Sequence, residues 1–277
     1  MAKVYDTKIE LNNVEYGISG IDVGNSRVKL HHDDTFLSFK YDKDWKKNVQ
    51  HHYRDHVDRR YLIGLSSVNP KQTTAIVKVL QRIPGHLVIN IHQLVMRNQG
   101  VLSLGNVENA GIDRLLGAIG AMGITEPPLI TVDCGTAVTI NAVSPQRVFL
   151  GGAIFAGIST QLFGLFKQTA GIGEEVFEMP TDAIGTNTHD SLMAGIYASV
   201  VGGVSQTVAA LKNDHFDGKD IPVIVTGGEG RTILEGLKRS KISAEYYPHL
   251  VTDGVMHLMA RADKRDVSDS IIDKIRN

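Results

Sequence analysis

The sequence contains Asp22-Val23-Gly24-Asn25-Ser26-Arg27-Val28-Lys29 between two apolar runs. This pattern predicts a hairpin with a tight, polar tip. Gly24 allows a turn that brings backbone amides close to a ligand, while Asn25, Ser26 and Lys29 add polar groups and a positive charge. Because Asp22 would repel phosphate unless a cation lay between them, the hairpin predicts a phosphate site that also holds Mg²⁺. Taken alone, the same residues also fit an ordinary polar turn.

A second copy of this pattern lies in the second half of the chain, as Asp133-Cys134-Gly135-Thr136-Ala137-Val138-Thr139. An apolar, strand-forming run precedes it and another follows. A strand–Asp-x-Gly–strand element that occurs twice indicates an internal duplication. Two such turns facing each other would bracket a triphosphate and its metal. The Pro127-Pro128 break predicts two halves, residues 1–126 and 127–277, with residues 1–16 as a short extension.

A third segment, Gly111-Ile112-Asp113-Arg114, begins a run whose apolar residues have helical spacing. A polar or anionic substrate at a helix N-terminus meets free N–H groups and the positive end of the dipole. Arg114 can hold a carboxylate through two hydrogen bonds, and Asp113 can accept a proton from a substrate hydroxyl. The alternative is an acidic residue that only favours the helix dipole, with Arg114 as its surface partner.

Two later segments are weaker signals. Thr226-Gly227-Gly228-Glu229-Gly230 follows an apolar run, and its paired glycines allow close approach of a flat group such as adenine. The same segment also fits a plain strand-to-helix connection. Ile184-Gly185-Thr186-Asn187-Thr188 has the composition of a helix N-cap and precedes a long apolar helix.

The first half also predicts a solvated edge. Residues 35–41 are expected to form an edge strand, and the charged residues that follow predict a solvated helix before the next strand at 61–68. His31 and His32 are expected on the exposed face of the return strand of the first hairpin.

Composition bounds the function classes. The chain has 277 residues and a formal net charge of −1, so it lacks the basic footprint that nucleic-acid binding needs. Uninterrupted apolar runs are too short for a membrane span, and the first ten residues do not resemble a secretory signal. Cys134 is the only cysteine, which rules out an intramolecular disulfide and fits a reducing compartment. We therefore expect a cytoplasmic protein that binds neither nucleic acid nor membrane.

Taken in order, these segments resemble the type III pantothenate kinases. The family motif Asp-x-Gly-Asn-Thr-x-x-Lys matches residues 22–29, with Ser26 in place of Thr. Gly-Ala-Asp-Arg matches residues 111–114, and Asp-x-Gly-Thr-Ala-x-Thr matches residues 133–139. A Gly-Asn-Thr segment before a long helix is matched by Gly185 and Asn187-Thr188. The resemblance extends from about residue 18 to residue 260.

The resemblance implies an α/β fold of the actin-like, or ribonuclease H-like, class. Its two duplicated halves are each a mixed sheet flanked by helices, with a cleft between them. It implies an enzyme that uses ATP to phosphorylate pantothenate to 4′-phosphopantothenate, the first step of coenzyme A biosynthesis. It further implies Mg²⁺, a monovalent cation (K⁺ or NH₄⁺), and a homodimer.

The resemblance also assigns roles to individual residues. Asp113 falls on the general base of the family. Contacts to ATP are implied for Asp22, Gly24, Asn25, Ser26, Lys29 and Thr136. Asp22 and Asp133 are the implied metal positions, for Mg²⁺ and the activating monovalent cation respectively. Contacts to pantothenate are implied for Leu104, Gly111, Ile112, Asp113, Arg114 and Thr188, although Leu104 stands where the family usually has Tyr.

Two other functions stay open at this point. The first is a kinase of the same superfamily that acts on another small hydroxyl or carboxylate substrate, which Leu104 favours because the family's Tyr hydroxyl is missing. The second is a non-catalytic regulatory paralogue. Retention of Asp22, Asp113 and Asp133 argues against the second, since an inactive chain need not keep all three.

Overall fold

The computed structural model describes residues 8–55 and 59–272. Its elements follow one another in this order: β1 (Lys8–Leu11), β2 (Val14–Val23), β3 (Arg27–His32), β4 (Thr35–Lys40), α1 (Trp45–Arg54), β5 (Tyr61–Ser67), α2 (Pro70–Leu80), β6 (Leu87–Asn90), α3 (Ile91–Arg97), α4 (Ile112–Met122), β7 (Leu129–Cys134), β8 (Ala137–Val143), β9 (Phe149–Ala156), α5 (Ile158–Gln168), α6 (Thr188–Phe216), β10 (Val223–Thr226), α7 (Gly230–Arg239), β11 (Glu245–Tyr246), α8 (Leu250–Arg261) and α9 (Lys264–Asp269). The two predicted strand–turn–strand elements are β2–β3 and β7–β8.

Two sheets have the same strand order. The first runs β4-β3-β2-β5-β6, with β1 also paired to β2, and the second runs β9-β8-β7-β10-β11. In each sheet the central strand pairs antiparallel with the next strand of its hairpin, β2 with β3 and β7 with β8. On its other side it pairs parallel with a later strand, β5 or β10. The prediction of two mixed sheets flanked by helices is confirmed, and the shared order supports the inferred duplication.

The described residues group into two compact units. The first contains residues up to Ile124, residues 147–149 and residues from His249 onward, and the second contains Thr125–Gln146 and Leu150–Pro248. The predicted halves, residues 1–126 and 127–277, differ from these units at the C-terminal end. The reason is that α8 packs on β2, β5 and α4 and so returns the end of the chain to the first unit.

The predicted extension, residues 1–16, contains regular structure. Residues 8–11 form β1, which pairs antiparallel with the start of β2 so that Ile9 lies opposite Tyr16. Both of these side chains are buried. Residues 1–7 lie outside the described residues. Residues 8–16 are therefore part of the first sheet rather than a segment preceding it.

Helices cover both faces of the first sheet. Alternate side chains of β2 and β5 pack against α1 and α2 in one hydrophobic core. On the opposite face, Gly20 and Gly64 bring β2 and β5 directly against α8, and a side chain at Gly64 would collide with Val255. Strand β4 is the edge of this sheet, as predicted.

The expectation that His31 and His32 are exposed is wrong, because helices cover both faces of β3. The two residues are 4% and 1% exposed. His31 Nδ1 lies 2.7 Å from Asp253 Oδ1 on α8, while the ring of His32 lies on the opposite face, beside His52 of α1. Alternation along a strand places neighbouring side chains on opposite faces, and here each face is covered by a helix.

The core of the second unit forms around α6. This helix is long and apolar enough to cross a membrane, judged by length and composition alone. Its buried side chains, however, pack with those of β7, β8 and β10 in a single core. These side chains include Met193, Ile196, Val200, Val204 and Val208. We conclude that α6 is the core helix of the second unit.

Candidate active site

The β2–β3 hairpin of the first unit carries the first predicted phosphate turn. Asp22 is 6% exposed near the end of β2 and lies opposite Lys29 in the ladder, with 3.7 Å between Asp22 Oδ2 and Lys29 Nζ. Asn25 and Ser26 are exposed at the tip. Gly24 closes the turn, because its N–H donates to the backbone oxygen of Arg27 at 3.0 Å. The hairpin thus places a buried carboxylate beside a cationic group, with polar residues beyond them.

Tyr41, just after β4, supports this turn from the side. Its hydroxyl donates to the backbone oxygens of Gly24 at 2.8 Å and of Arg27 at 3.0 Å. Burial, with a smaller contribution from nearby Asp22, raises the pKa of Tyr41 to about 12, so the hydroxyl keeps its proton at neutral pH. Sequence reasoning missed this residue, because only the pairing of β3 with β4 brings it to the turn.

The β7–β8 hairpin of the second unit carries the second predicted phosphate turn. Half-buried Asp133 lies opposite Thr139 on β8 and Thr226 on β10, and Thr136 is exposed. Cys134 is buried, and burial together with Asp133 and Glu229 raises the pKa of its thiol. This thiol therefore stays protonated, as expected of a small buried side chain.

Two further segments of the second unit meet this turn. Sequence reasoning gave the start of α5 no role, and it assigned residues 226–230 only to the approach of a flat group such as adenine. The backbone N–H of Glu229 donates to the backbone oxygen of Cys134 at 3.0 Å. The Glu229 carboxylate accepts bonds from the N–H of Ile158 at 3.1 Å, from the N–H of Ser159 at 3.2 Å and from the Ser159 hydroxyl at 2.7 Å. The Thr160 hydroxyl donates to the backbone oxygen of Thr136 at 2.6 Å.

The predicted substrate motif begins α4 in the first unit, with Gly111 as the N-cap. Asp113 Oδ1 accepts the N–H of Arg114 at 2.9 Å. A β-carbon at Gly111 would lie 2.6 Å from the same oxygen, which is too close. Glycine at this position therefore avoids a collision with the Asp113 carboxylate. The Arg114 guanidinium lies 5.6 Å from the ring centroid of Phe149, and burial lowers its pKa while Asp113 opposes that shift. The first turn of the helix therefore carries an acidic residue and a basic residue that are adjacent in sequence, and both are half-buried.

Leu104 and Thr188 lie apart from these turns in the chain. Leu104 is half-buried, and its backbone N–H donates to Gln99 Oε1 at 3.0 Å. Its aliphatic side chain offers no hydrogen bond. Thr188 is the first residue of α6 and is exposed, and the Asn187 side chain caps this helix by accepting the N–H of Asp190 at 2.9 Å.

The predicted residues fall into a few groups. One group lies on the β2–β3 hairpin of the first unit: Asp22, Gly24, Asn25, Ser26 and Lys29. The first unit also contains a second group at the start of α4: Gly111, Ile112, Asp113 and Arg114. Asp133 and Thr136 share one turn of the second unit. Within residues 8–55 and 59–272 no group of three or more His, Cys, Asp or Glu side chains is arranged to hold a metal ion.

A family model for type III pantothenate kinase matches residues 20–210 of this chain. The chain is 30% identical to the type III pantothenate kinase of Sulfurihydrogenibium sp. (strain YO3AOP1), over 83% of this chain and 96% of that protein. It is also 30% identical to the type III pantothenate kinase of Anaeromyxobacter sp. (strain Fw109-5), over 87% of this chain and 98% of that protein.

Solved structures share the fold at much lower identity. A conserved Baf-family protein of Campylobacter jejuni, described as a transcriptional activator, is similar with a TM-score of 0.56 and 18% identity, over 87% of this chain and 96% of that one. The activator of 2-hydroxyisocaproyl-CoA dehydratase from Clostridium difficile, with bound ADPNP, is similar with a TM-score of 0.51 and 9% identity, over 91% and 96% of the two chains. The prediction of an actin-like fold is confirmed.

Proposed function

The chain belongs to the type III pantothenate kinase family, and from this membership we propose which of its residues carry the reaction. It is an enzyme that transfers phosphate from ATP to pantothenate, the step that begins coenzyme A biosynthesis. The predicted family and activity are therefore confirmed. The roles of individual residues, the metal ions, the homodimer and the cytoplasmic location are parts of the proposal.

Asp113 is the proposed general base. In the reaction a primary hydroxyl oxygen of pantothenate forms a bond to the γ-phosphorus of ATP, and the bond from that phosphorus to the bridging oxygen of ADP breaks. The hydroxyl proton passes to the Asp113 carboxylate, which stays oriented because Oδ1 accepts the N–H of Arg114. Arg114 binds the pantothenate carboxylate through its fork of N–H groups. Gly111, Ile112 and Thr188 complete the acceptor site.

One observation supports ATP binding at both turns. Asp22 and Asp133 are the next-to-last residues of β2 and β7, the central strands of two sheets that share one strand order. We propose that one charged ligand, ATP, contacts both copies of this acidic turn. In this proposal Gly24, Asn25, Ser26, Lys29 and Thr136 contact the phosphates, because phosphoryl transfer depends on positioning and charge neutralisation.

The carboxylates present fit the implied cations. Mg²⁺ is commonly held by one or two carboxylates together with substrate phosphates, so a cluster of protein ligands is not required. Asp22 would hold Mg²⁺, directly or through water, and Asp133 would hold K⁺ or NH₄⁺. Bound Mg²⁺ would neutralise phosphate charge, while Lys29, 3.7 Å from Asp22, limits the repulsion between that carboxylate and the nucleotide.

The test is Asp113→Asn, assayed by coupled ADP release with pantothenate as acceptor. We expect kcat to fall by about 10²–10⁴-fold, the range for loss of a general base, while binding of an ATP analogue stays within twofold of wild type. Asp266→Asn is the matched control, because Asp266 also lies in the first turn of a helix, α9. Wild-type turnover by Asp113→Asn would remove this residue from the mechanism.

The same assay tests the acceptor. Leu104 provides no hydroxyl to the acceptor site, and one missing hydrogen bond is worth about 1 kcal/mol. We expect the KM for pantothenate to be higher with Leu104 than with tyrosine at this position. Leu104→Tyr should therefore lower this KM. A panel of other small hydroxy acids should give lower kcat/KM values than pantothenate. A better substrate in that panel would reassign the acceptor without affecting the nucleotide site.

A further inference from the structure

We propose that Glu229 and Thr160 are positioning residues that hold the second phosphate turn in its ATP-binding form through the start of α5. The proposal rests on the proposed contact of Thr136 with the phosphates. Neither side chain belongs to the turn itself. Both residues bond to its backbone: Glu229 through its own N–H at Cys134, and Thr160 through its hydroxyl at Thr136. They lie in segments that follow β10 and β9 respectively.

Glu229 joins the turn to the helix. Its backbone N–H bonds Cys134 at the end of β7, and its carboxylate bonds the N–H groups of Ile158 and Ser159 and the Ser159 hydroxyl. The first N–H groups of a helix have no partner within it, and a carboxylate there is also favoured by the dipole. One residue, bonded to β7 through its backbone and to α5 through its side chain, therefore fixes the start of α5 relative to the end of β7.

The start of α5 in turn holds Thr136. The N–H of Gly157 donates to the backbone oxygen of Thr136 at 3.0 Å, and the Thr160 hydroxyl donates to the same oxygen at 2.6 Å. The backbones are packed closely, because a side chain at Gly157 would collide with the backbone oxygen of Gly135. Both lone-pair positions of one carbonyl are used, which fixes the peptide plane that follows Thr136.

This arrangement predicts a specific functional consequence. Bonds to ionised groups are stronger than neutral ones, and loss of the negative charge leaves the N–H groups of Ile158 and Ser159 without a charged acceptor. A loosened α5 would release the carbonyl of Thr136 and spread the turn over several conformations. Nucleotide affinity should then fall because the turn must be ordered on binding, whereas the acceptor site on α4 should be unaffected.

The experiment uses Glu229→Gln and Thr160→Val in the full-length protein. Gln keeps the shape of the side chain but not its charge, and Val replaces the hydroxyl of Thr160 by a methyl group. Each should raise both the ATP KM and the Kd of a non-hydrolysable ATP analogue by about tenfold, with the pantothenate KM within twofold of wild type. Thr160→Ser, which keeps the hydroxyl, should recover most of the lost affinity.

Thr169→Val is the matched control. Thr169 lies at the other end of α5, and its hydroxyl also donates to a backbone oxygen, that of Leu165 at 2.9 Å. A purely structural role would lower the melting temperatures of Thr160→Val and Thr169→Val alike and leave the analogue Kd unchanged, which would overturn the proposal.

The proposal and the proposed function fail differently. A wild-type protein that binds the analogue but does not phosphorylate pantothenate would overturn the function, while weakened analogue binding by Thr160→Val would still support positioning. A wild-type protein that does not bind the analogue would overturn both.

Discussion

At the scale of single residues, Gly135 shows how a binding role can be separated from a structural one. A β-carbon there would lie 3.9 Å from the backbone oxygen of Ala137 and 4.0 Å from Asp133 Oδ1, which is ordinary van der Waals contact. Its backbone is also outside the left-handed region. The folded protein therefore has room for a side chain at this position. A phosphate that approaches the Gly135 backbone closely would, in contrast, collide with that side chain.

We accordingly predict that Gly135→Ala folds as well as wild type but binds ATP poorly. Its melting temperature should be equal or slightly higher, because alanine lowers the conformational entropy of the unfolded chain. This effect stabilises the folded protein by about 0.4–1 kcal/mol. The Kd of an ATP analogue, measured by calorimetry, should rise at least about tenfold, or 1.4 kcal/mol. Gly164→Ala on α5, where a β-carbon would meet nothing within 4 Å, is the control and should keep the wild-type Kd. Equal affinities for both variants would contradict a phosphate contact at Gly135.

The residues that sequence reasoning missed have a common cause. Tyr41 and Thr160 lie in no motif, and Glu229 lies in a segment that stands out in the sequence only for its glycines. Each reaches a predicted turn only through a tertiary contact. The turns themselves could be predicted because their glycines, acids and flanking strands lie within a few residues. Side chains that support a turn from another element leave no such local pattern.

At the scale of elements, the position of α4 depends on its contact with α8. A side chain at Gly120 of α4 would collide with the backbone oxygen of Leu250, and one at Gly254 of α8 would collide with that of Leu116. The two helix backbones therefore approach more closely than any other residue would permit. Because α4 begins with Gly111 and Asp113, this contact helps to fix the predicted general base.

We predict that Gly254→Ala destabilises the protein by about 3 kcal/mol, since an added methyl group must push two backbones apart. Gly117→Ala is the matched control, because it lies in the interior of the partner helix, α4, with open space at its β-carbon. The control should instead gain up to about 1 kcal/mol from better helix propensity. Urea denaturation of both variants measures the difference, and similar stabilities would contradict the close packing of α4 and α8.

Elements differ in how well the sequence predicts them. Strands β2, β3, β7 and β8 follow from apolar runs on either side of a glycine turn. The association of α8 with the first unit does not, because packing between segments at opposite ends of the chain has no local signal. The same limit explains the error at His31 and His32, since their burial depends on helices α1 and α8 rather than on β3 itself.

At the scale of the whole molecule, the duplication is the feature that sequence and structure express most clearly. Two sheets with one strand order place an acidic turn after the same central strand. The repeated Asp-x-Gly pattern predicted this equivalence, because each copy follows the central strand of its own sheet. The contribution of both turns to a single nucleotide site is the central claim of the proposed mechanism.

The most direct test measures the affinity of a non-hydrolysable ATP analogue, with Mg²⁺, for Lys29→Met and Thr136→Val. One variant alters the turn of the first unit and the other the turn of the second, while Lys78→Met on α2 serves as a surface control. We predict that each turn variant weakens binding by about tenfold, the loss of one charged or polar phosphate contact, with the control unchanged. Wild-type affinity in either turn variant would contradict a shared nucleotide site.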